Sequence, residues 1–165
     1  MKYLFTAAIA SALLIACNND DKTKEADHDA HSSATATTAI TDETPLPEIP
    51  ANARVFFVNL KDGQTVTSPL KIEMGVEDLK VDTANGILKP ASGHHHILVD
   101  VDSIPTKTIV PPTDSVHHYH FGKAQTSAEI KLTPGKHFIV LQFADARHRS
   151  FGSRLTSRIT VDVKQ

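Results

Sequence analysis

The sequence lacks features that several common classes of protein require. It contains one cysteine and no tryptophan among 165 residues. A single cysteine excludes internal disulfides and any cysteine-rich zinc or iron–sulfur site. The formal net charge is −2, whereas a nucleic-acid-binding domain should be clearly basic. There is no glycine-rich phosphate loop and no Gly-X-Ser-X-Gly elbow. We therefore expect one domain with a tail, no nucleic-acid partner and no enzyme.

The amino terminus has the pattern of a secretory signal peptide. Lys2 precedes an apolar run, Tyr3–Ile15, which is too short to span a membrane and is followed by polar sequence. The run ends in Leu14-Ile15-Ala16-Cys17, which resembles the bacterial lipobox, whose cysteine becomes the lipid-modified first residue of the mature chain. We predict a lipoprotein signal peptide over residues 1–16 and an acyl anchor on Cys17. The alternative is an ordinary signal peptide with a chance cysteine.

The predicted anchor implies a place in the cell. A lipid on Cys17 would attach the protein to a membrane of the bacterial cell envelope. We expect the outer membrane, on its periplasmic face or at the cell surface. A partner protein in the envelope is possible on this reading, but the sequence does not name one.

Residues 17–53 differ in composition from the rest of the chain. Between Asn18 and Ala53 there are two lysines and eight acidic residues, a net charge of −6, and few large apolar residues. Such a segment buries too little apolar surface to offset the entropy lost on ordering. We therefore predict a disordered acidic tether over residues 17–53.

The remaining residues, 54–165, have the pattern of an all-β domain. Seven segments are apolar runs or alternate apolar and polar residues, turn sequences separate several of them, and none has a helical stripe. Asn59–Leu70 also resembles the first strands of bacterial immunoglobulin-like modules. We predict an immunoglobulin-like antiparallel β-sandwich of about seven strands. The predicted strands are Arg54–Leu60, Leu70–Val76, Gly93–Asp102, Val116–Phe121, Ala128–Leu132, Lys136–Ala144 and Arg158–Lys164.

Histidine is the unusual component, with ten in the chain and eight of them after Gly93. Residues two apart on a strand share a face. The alternation through Ile97 places His95 towards the core and leaves His94 and His96 on the opposite face. Two residues of the later segment, His118 and His120, likewise share one face. If the two strands are neighbours, the imidazoles of both His-X-His pairs can converge on one metal ion.

The sequence therefore gives a candidate metal site. The predicted ligands are His94, His96, His118 and His120, with His95, His137 and His148 as alternatives or supporting residues. Imidazole suits Cu(II) or Zn(II), and the scarcity of cysteine and methionine argues against a soft Cu(I) site. Four carboxylates are possible further ligands or partners that orient a ring, namely Asp100, Asp102, Asp114 and Asp145.

Other interpretations remain open. The histidines can instead form a polar surface patch or a pH-sensitive interface, since imidazole titrates near neutral pH. Our leading hypothesis is an envelope lipoprotein that binds a transition metal for storage, delivery or buffering. The alternative is a non-catalytic immunoglobulin-like interaction module that binds a protein or glycan. A metal-dependent enzyme would need an open coordination position, which the sequence does not reveal.

Several segments of residues 54–165 match the pattern of a known bacterial family, namely Val58–Gly63 with Ser68-Pro69, Gly93–Asp100, His118–Thr126, Pro134–His137 and Asp145–His148. On these segments the domain resembles the domain-of-unknown-function 4399 family. The resemblance implies no particular activity, and it makes an incidental origin of the histidines less plausible. Two departures from the family pattern are Ala124, where glycine is expected, and an enlarged segment over Val81–Ala91.

Overall fold

The computed structural model describes Asp42, residues 44–114 and residues 116–164. Within these residues the fold is all-β, with nine strands and one short 3-10 helix at Gly152–Leu155. The predicted signal peptide, Cys17 and most of the predicted tether lie outside the described residues. The strands are β1 (Arg54–Phe57), β2 (Gln64–Thr67), β3 (Leu70–Glu77), β4 (Lys80–Val81), β5 (Ser92–Val99), β6 (His118–His120), β7 (Ser127–Ile130), β8 (Gly135–Ala144) and β9 (Thr156–Lys164).

The strands form two sheets, which confirms the predicted all-β sandwich. One sheet has the order β1-β3-β7, and the other has the order β2-β9-β8-β5-β4, with β6 also paired to β5. Two strand pairs, β2 with β9 and β4 with β5, are parallel. The predicted antiparallel pairing therefore does not hold for these two pairs. The sequence pattern missed both β2 and β4. They are only four and two residues long, too short for a recognisable alternation.

The apolar alternation of the longer strands builds the core. In β9 the buried residues are Ile159, Val161 and Val163, and the residues between them are more exposed. In β3 the buried residues Ile72 and Met74 alternate in the same way. Full burial of one such side chain contributes roughly 1.5–3 kcal/mol, so two facing rows of them hold the sheets together.

Strand β5 departs from this alternation because all eight of its residues are buried. One face contributes Ile97 to the core, and the other face carries His94, His96 and Leu98. An irregular segment, residues 104–110, runs beside that second face. Its first amide, Ile104 N, donates to Oε1 of Gln142, which lies opposite His96 in the β5–β8 register, at 3.1 Å. The outer face of β5 is therefore an enclosed layer rather than a solvated surface.

The packed domain begins before Arg54, which corrects the predicted boundary. Leu46 and Ile49 pack against the core, and Ala53 is 1% exposed. The carbonyl of Glu48 accepts a hydrogen bond of 2.8 Å from Ala91 N. Residues 44–53, which we assigned to the tether, thus belong to the domain. Their contacts come from isolated apolar side chains and backbone carbonyls, which produce no periodic pattern.

The described residues contain no helix long and apolar enough to cross a membrane.

Candidate metal centre

Four imidazole rings meet on the outer face of β5. His94 and His96 come from β5, His120 from β6, and His148 from the turn that follows β8. The six distances between the ring centroids range from 4.7 to 5.9 Å. The Nε2 atoms of His94 and His96 are 2.9 Å apart, and those of His120 and His148 are 3.1 Å apart. We call these four residues the histidine cluster.

Strand geometry explains three of the four positions. His94 and His96 share a face because they are two residues apart on β5. His120 lies directly opposite His96 in the antiparallel β5–β6 register. Such cross-strand neighbours have Cβ atoms about 4.5–5.5 Å apart. His94, His96 and His120 each offer a ligand atom, and these atoms all lie within 4.8 Å of one another.

Gly122 makes room for the ring of His120. A Cβ atom at this position would overlap Nε2 and Cε1 of His120 and would lie 3.1 Å from the Cβ of Ala84. The carbonyl of Gly122 also accepts a hydrogen bond of 2.9 Å from Ala84 N. Any larger residue at 122 would force the ring of His120 to shift.

A tight turn presents His148. Asp145 organises this turn, because its Oδ1 accepts hydrogen bonds from Arg147 N at 2.8 Å and Arg149 N at 3.0 Å. His148 N donates to the carbonyl of Asp145 at 2.9 Å. His148 has a φ of 65°, in the left-handed region that residues other than glycine seldom adopt. The turn therefore holds His148 in an uncommon backbone conformation that directs its ring towards His120.

A buried ion pair supports the turn. Arg149 Nε donates to Oδ2 of Asp145 at 2.8 Å, and both side chains are fully buried. The other guanidinium nitrogens reach the amino-terminal segment: Nη1 donates to the carbonyl of Thr44 at 2.9 Å and also contacts its hydroxyl, while Nη2 donates to the carbonyl of Pro45 at 3.3 Å. A buried charge is tolerated when its partners are all supplied in this way. Residues 44–45 are thus connected through Arg149 to the turn that carries His148.

Three rings of the cluster, those of His94, His96 and His120, have a lowered pKa that keeps them neutral at neutral pH. Burial, and after it the neighbouring histidines, lowers the pKa of His94 to about 3. Burial likewise holds the pKa of His96 well below its usual value, and it lowers the pKa of His120. A metal ligand must be deprotonated, so these rings do not need to lose a proton before they can bind an ion.

The second ring nitrogen of His94 is an unusual feature of the site. His94 Nδ1 is buried and has no hydrogen-bond partner among the described residues. Its Nε2 is the atom that faces His96. When a histidine binds a metal through one nitrogen, the other nitrogen carries the proton. An ion held at Nε2 would therefore place an N–H group at this enclosed position.

The structure does not bring the other predicted histidines into the cluster. His118 is opposite Leu98 rather than His96, and its Nδ1 lies 3.9 Å from Asp114 Oδ2. His137 is engaged elsewhere: its Nδ1 is 2.6 Å from Asp100 Oδ2, and its Nε2 is 3.0 Å from a backbone carbonyl. His95 lies on the core face, as its register predicts, with its ring 5.2 Å from that of Phe143.

The four carboxylates that we considered as ligands have other partners. Asp145 is bound to Arg149, and Asp102 Oδ1 is 2.8 Å from Arg158. Asp114 accepts hydrogen bonds from three backbone amides, and Asp100 binds His137 and the amide of Phe138. The candidate site therefore consists of imidazoles. The sequence missed the central position of His148, because a turn residue has no periodicity to mark its direction.

Comparison with known proteins finds a match to one family model. The family model described as a domain of unknown function (DUF4399) matches residues 72–164. The matched range includes all four histidines of the cluster, together with Gly122 and the Asp145–Arg149 turn. No curated protein and no solved structure matches the chain.

Proposed function

The chain belongs to the DUF4399 family, and we propose that it binds a transition-metal ion through the histidine cluster for storage, delivery or buffering. The observation that carries the proposal is the convergence of His94, His96 and His120, whose ligand atoms lie within 4.8 Å of one another. The candidate ions are Zn(II) and Cu(II), because imidazole suits both and the cluster contains no thiolate.

The separations of the nitrogen atoms support this proposal. Two nitrogens that bind one ion at about 2.0–2.1 Å in a tetrahedral site are about 3.3 Å apart. The two Nε2 pairs of the cluster are separated by 2.9 and 3.1 Å. The remaining separations within the His94, His96 and His120 set extend to at most 4.8 Å. Small rotations of the rings are sufficient to place them around an ion.

Burial argues against the main alternative, an interaction surface formed by the histidines. His94 is 0% exposed and His96 is 2% exposed. A partner protein or glycan that docks on the surface has no access to these two rings. Their position instead suits two ligands withdrawn from solvent, to which the exposed His120 adds a third imidazole.

The sequence suggests where the protein acts. The predicted signal peptide over residues 1–16 and the predicted acyl anchor on Cys17 suggest the bacterial cell envelope. A domain attached there would be placed to hold metal ions on the outer side of the cytoplasmic membrane. This part of the proposal rests on the sequence alone, and acyl labelling of Cys17 against Cys17→Ser would test it.

Elemental analysis tests the metal proposal. The full chain, produced without a polyhistidine tag, is incubated with Zn(II) or Cu(II) and dialysed. We expect about one retained ion per chain, and none in the double variant His94→Ala with His120→Ala. His117→Ala is the matched control, because this exposed histidine lies outside the cluster. Absence of a retained ion in the wild-type chain would refute the proposal.

A further inference from the structure

We infer that four imidazoles hold the ion in a tetrahedral arrangement with His148 as the fourth ligand, the geometry that Zn(II) prefers and Cu(II) does not. This inference rests on the proposed metal binding. To that proposal it adds a fourth ligand, a coordination geometry and the identity of the metal.

The distances between the rings distinguish a tetrahedron from a square. Four points at the corners of a tetrahedron have six equal separations, whereas a square has two diagonals about 1.4 times longer than its sides. Five of the six centroid distances lie between 4.7 and 5.0 Å. Only the distance between His96 and His148 is longer, at 5.9 Å. Four rings on one ion at about 2.0–2.1 Å would have centroids about 5.2 Å apart, close to these values.

The orientation of the rings supports the same arrangement. Each cluster residue directs its Nε2 atom at another member, His94 at His96 and His120 at His148. The rings of His94 and His148 are inclined at 76°, and those of His96 and His148 at 72°. The rings of His96 and His120 are the closest to parallel, at 29°. Two pairs of facing Nε2 atoms, brought together from rings in different planes, are suited to a four-coordinate ion.

The surrounding structure resists flattening of the site. His94 and His96 are fixed on β5, which pairs with β8 on one side and with β6 on the other. Gly122 and Ala84 confine His120, and the buried Asp145–Arg149 pair holds the turn that carries His148. Cu(II) favours square-planar or tetragonal nitrogen ligands, whereas Zn(II) adopts a tetrahedral shell without strain.

Four protein ligands also close the coordination shell. Catalytic zinc sites keep a position for water or substrate, whereas sites with four protein ligands hold the ion without one. A closed all-imidazole site with no carboxylate ligand suits an ion that is held and released rather than one that activates water. The inference therefore favours storage or buffering of Zn(II) over a metal-dependent hydrolysis.

Cobalt substitution tests the inference. Four-coordinate Co(II) absorbs visible light strongly, and six-coordinate Co(II) absorbs weakly. The wild-type chain loaded with Co(II) should give the strong spectrum, and Zn(II) should abolish it by displacement. The variant His148→Gly leaves the fourth position to water, so its cobalt spectrum should shift in wavelength and intensity. It should also bind Zn(II) more than about 100-fold more weakly, since even a supporting partner of a ligand is worth 10–100-fold. Glycine suits the left-handed backbone at this position, and His148→Asn is a second variant that tolerates it.

His118→Ala is the matched control, because it removes a neighbouring histidine that lies outside the cluster. It should retain the cobalt spectrum and the Zn(II) affinity. A weak six-coordinate spectrum in the wild-type chain, or an unchanged spectrum and affinity in His148→Gly, would overturn the tetrahedral inference while metal binding itself stands. Failure to bind Co(II), Zn(II) and Cu(II) would instead refute the proposed function.

Discussion

The Nε2 atoms of His120 and His148 lie 3.1 Å apart, although the two residues are 28 positions apart in the chain. One belongs to a short strand paired with β5, and the other belongs to a turn held by a buried ion pair. Each ring is placed by a different device: Gly122 leaves space for His120, and Asp145 shapes the turn of His148. The approach of these rings to His94 and His96 is therefore a product of the tertiary fold, and it gives the following predictions.

Substitution of Gly122 by alanine should weaken metal binding. The added Cβ would overlap the ring of His120 and force it to shift. Overpacking of this kind typically costs about 1–3 kcal/mol of stability, so the fold should survive. Isothermal titration with Zn(II) measures the affinity, and urea denaturation measures the stability.

Gly75→Ala is the matched control for this substitution. Gly75 and Phe56 both lie in the β1-β3-β7 sheet, which does not carry the histidine cluster. A Cβ at Gly75 would overlap the ring of Phe56. It should lower stability by a similar amount and leave the Zn(II) affinity unchanged. Equal effects of the two variants on affinity would contradict the role given to Gly122.

Removal of the Arg149 side chain should destabilise the domain strongly. Arg149→Ala leaves the buried carboxylate of Asp145 without its charged partner, and breaking such a pair costs about 3–5 kcal/mol. In comparison, Lys71→Ala removes an exposed pair with Glu73 and should change the stability little, because solvent screens such a pair. Urea denaturation of the two variants in the absence of metal measures both costs. A mild effect of Arg149→Ala would show that the turn does not depend on this pair.

The amino-terminal segment should become more mobile when Arg154 is replaced. Arg154 Nη1 donates to the carbonyl of Ala53 at 2.8 Å, and Nη2 donates to the carbonyls of Pro50 and Ala51. The amide of Ala53 donates to the carbonyl of Pro50, and that of Ala91 donates to the carbonyl of Glu48. Arg154→Ala should therefore speed hydrogen exchange of both amides. Arg147→Ala, which removes an exposed side chain, should leave both rates unchanged. Equal exchange in the two variants would argue against the packed segment.

Metal-free protein should lose stability as the pH falls from about 6.5 towards 4. Burial lowers the pKa of His94 to about 3 and that of His95 to about 4, below the value of about 6.5 in the unfolded chain. In this window the unfolded state binds more protons than the folded state, so the free energy of unfolding decreases with falling pH. Each such group contributes a slope of about 1.4 kcal/mol per pH unit.

His95→Leu provides a direct check of this slope. It removes one titrating group from the core without touching the cluster, and it should reduce the pH dependence measured by urea denaturation between pH 7 and pH 5. A slope unchanged by the substitution would show that His95 is not a neutral buried residue. A chelator is added in these experiments, so that metal binding does not contribute to the free energy of unfolding.

The sequence alone predicts the longer strands and one half of the site, the pair His94 and His96. Alternation along a strand is a local property, so the common face of His94 and His96 follows directly from their spacing. The choice between His118 and His120 depends on which of them lies opposite His96, and that register is set by tertiary pairing. His148 and the packing of residues 44–53 depend on turns, carbonyl hydrogen bonds and a buried arginine, which produce no periodic signal.

X-ray absorption spectroscopy of the Zn(II)-loaded chain tests the central claim most directly. The account predicts a first shell of about four nitrogen ligands at about 2.0–2.1 Å, with the outer-shell scattering typical of imidazole rings. The double variant His94→Ala with His120→Ala should lose this signal. A zinc shell of six oxygen ligands without imidazole scattering, or a wild-type chain that retains no zinc, would contradict the account.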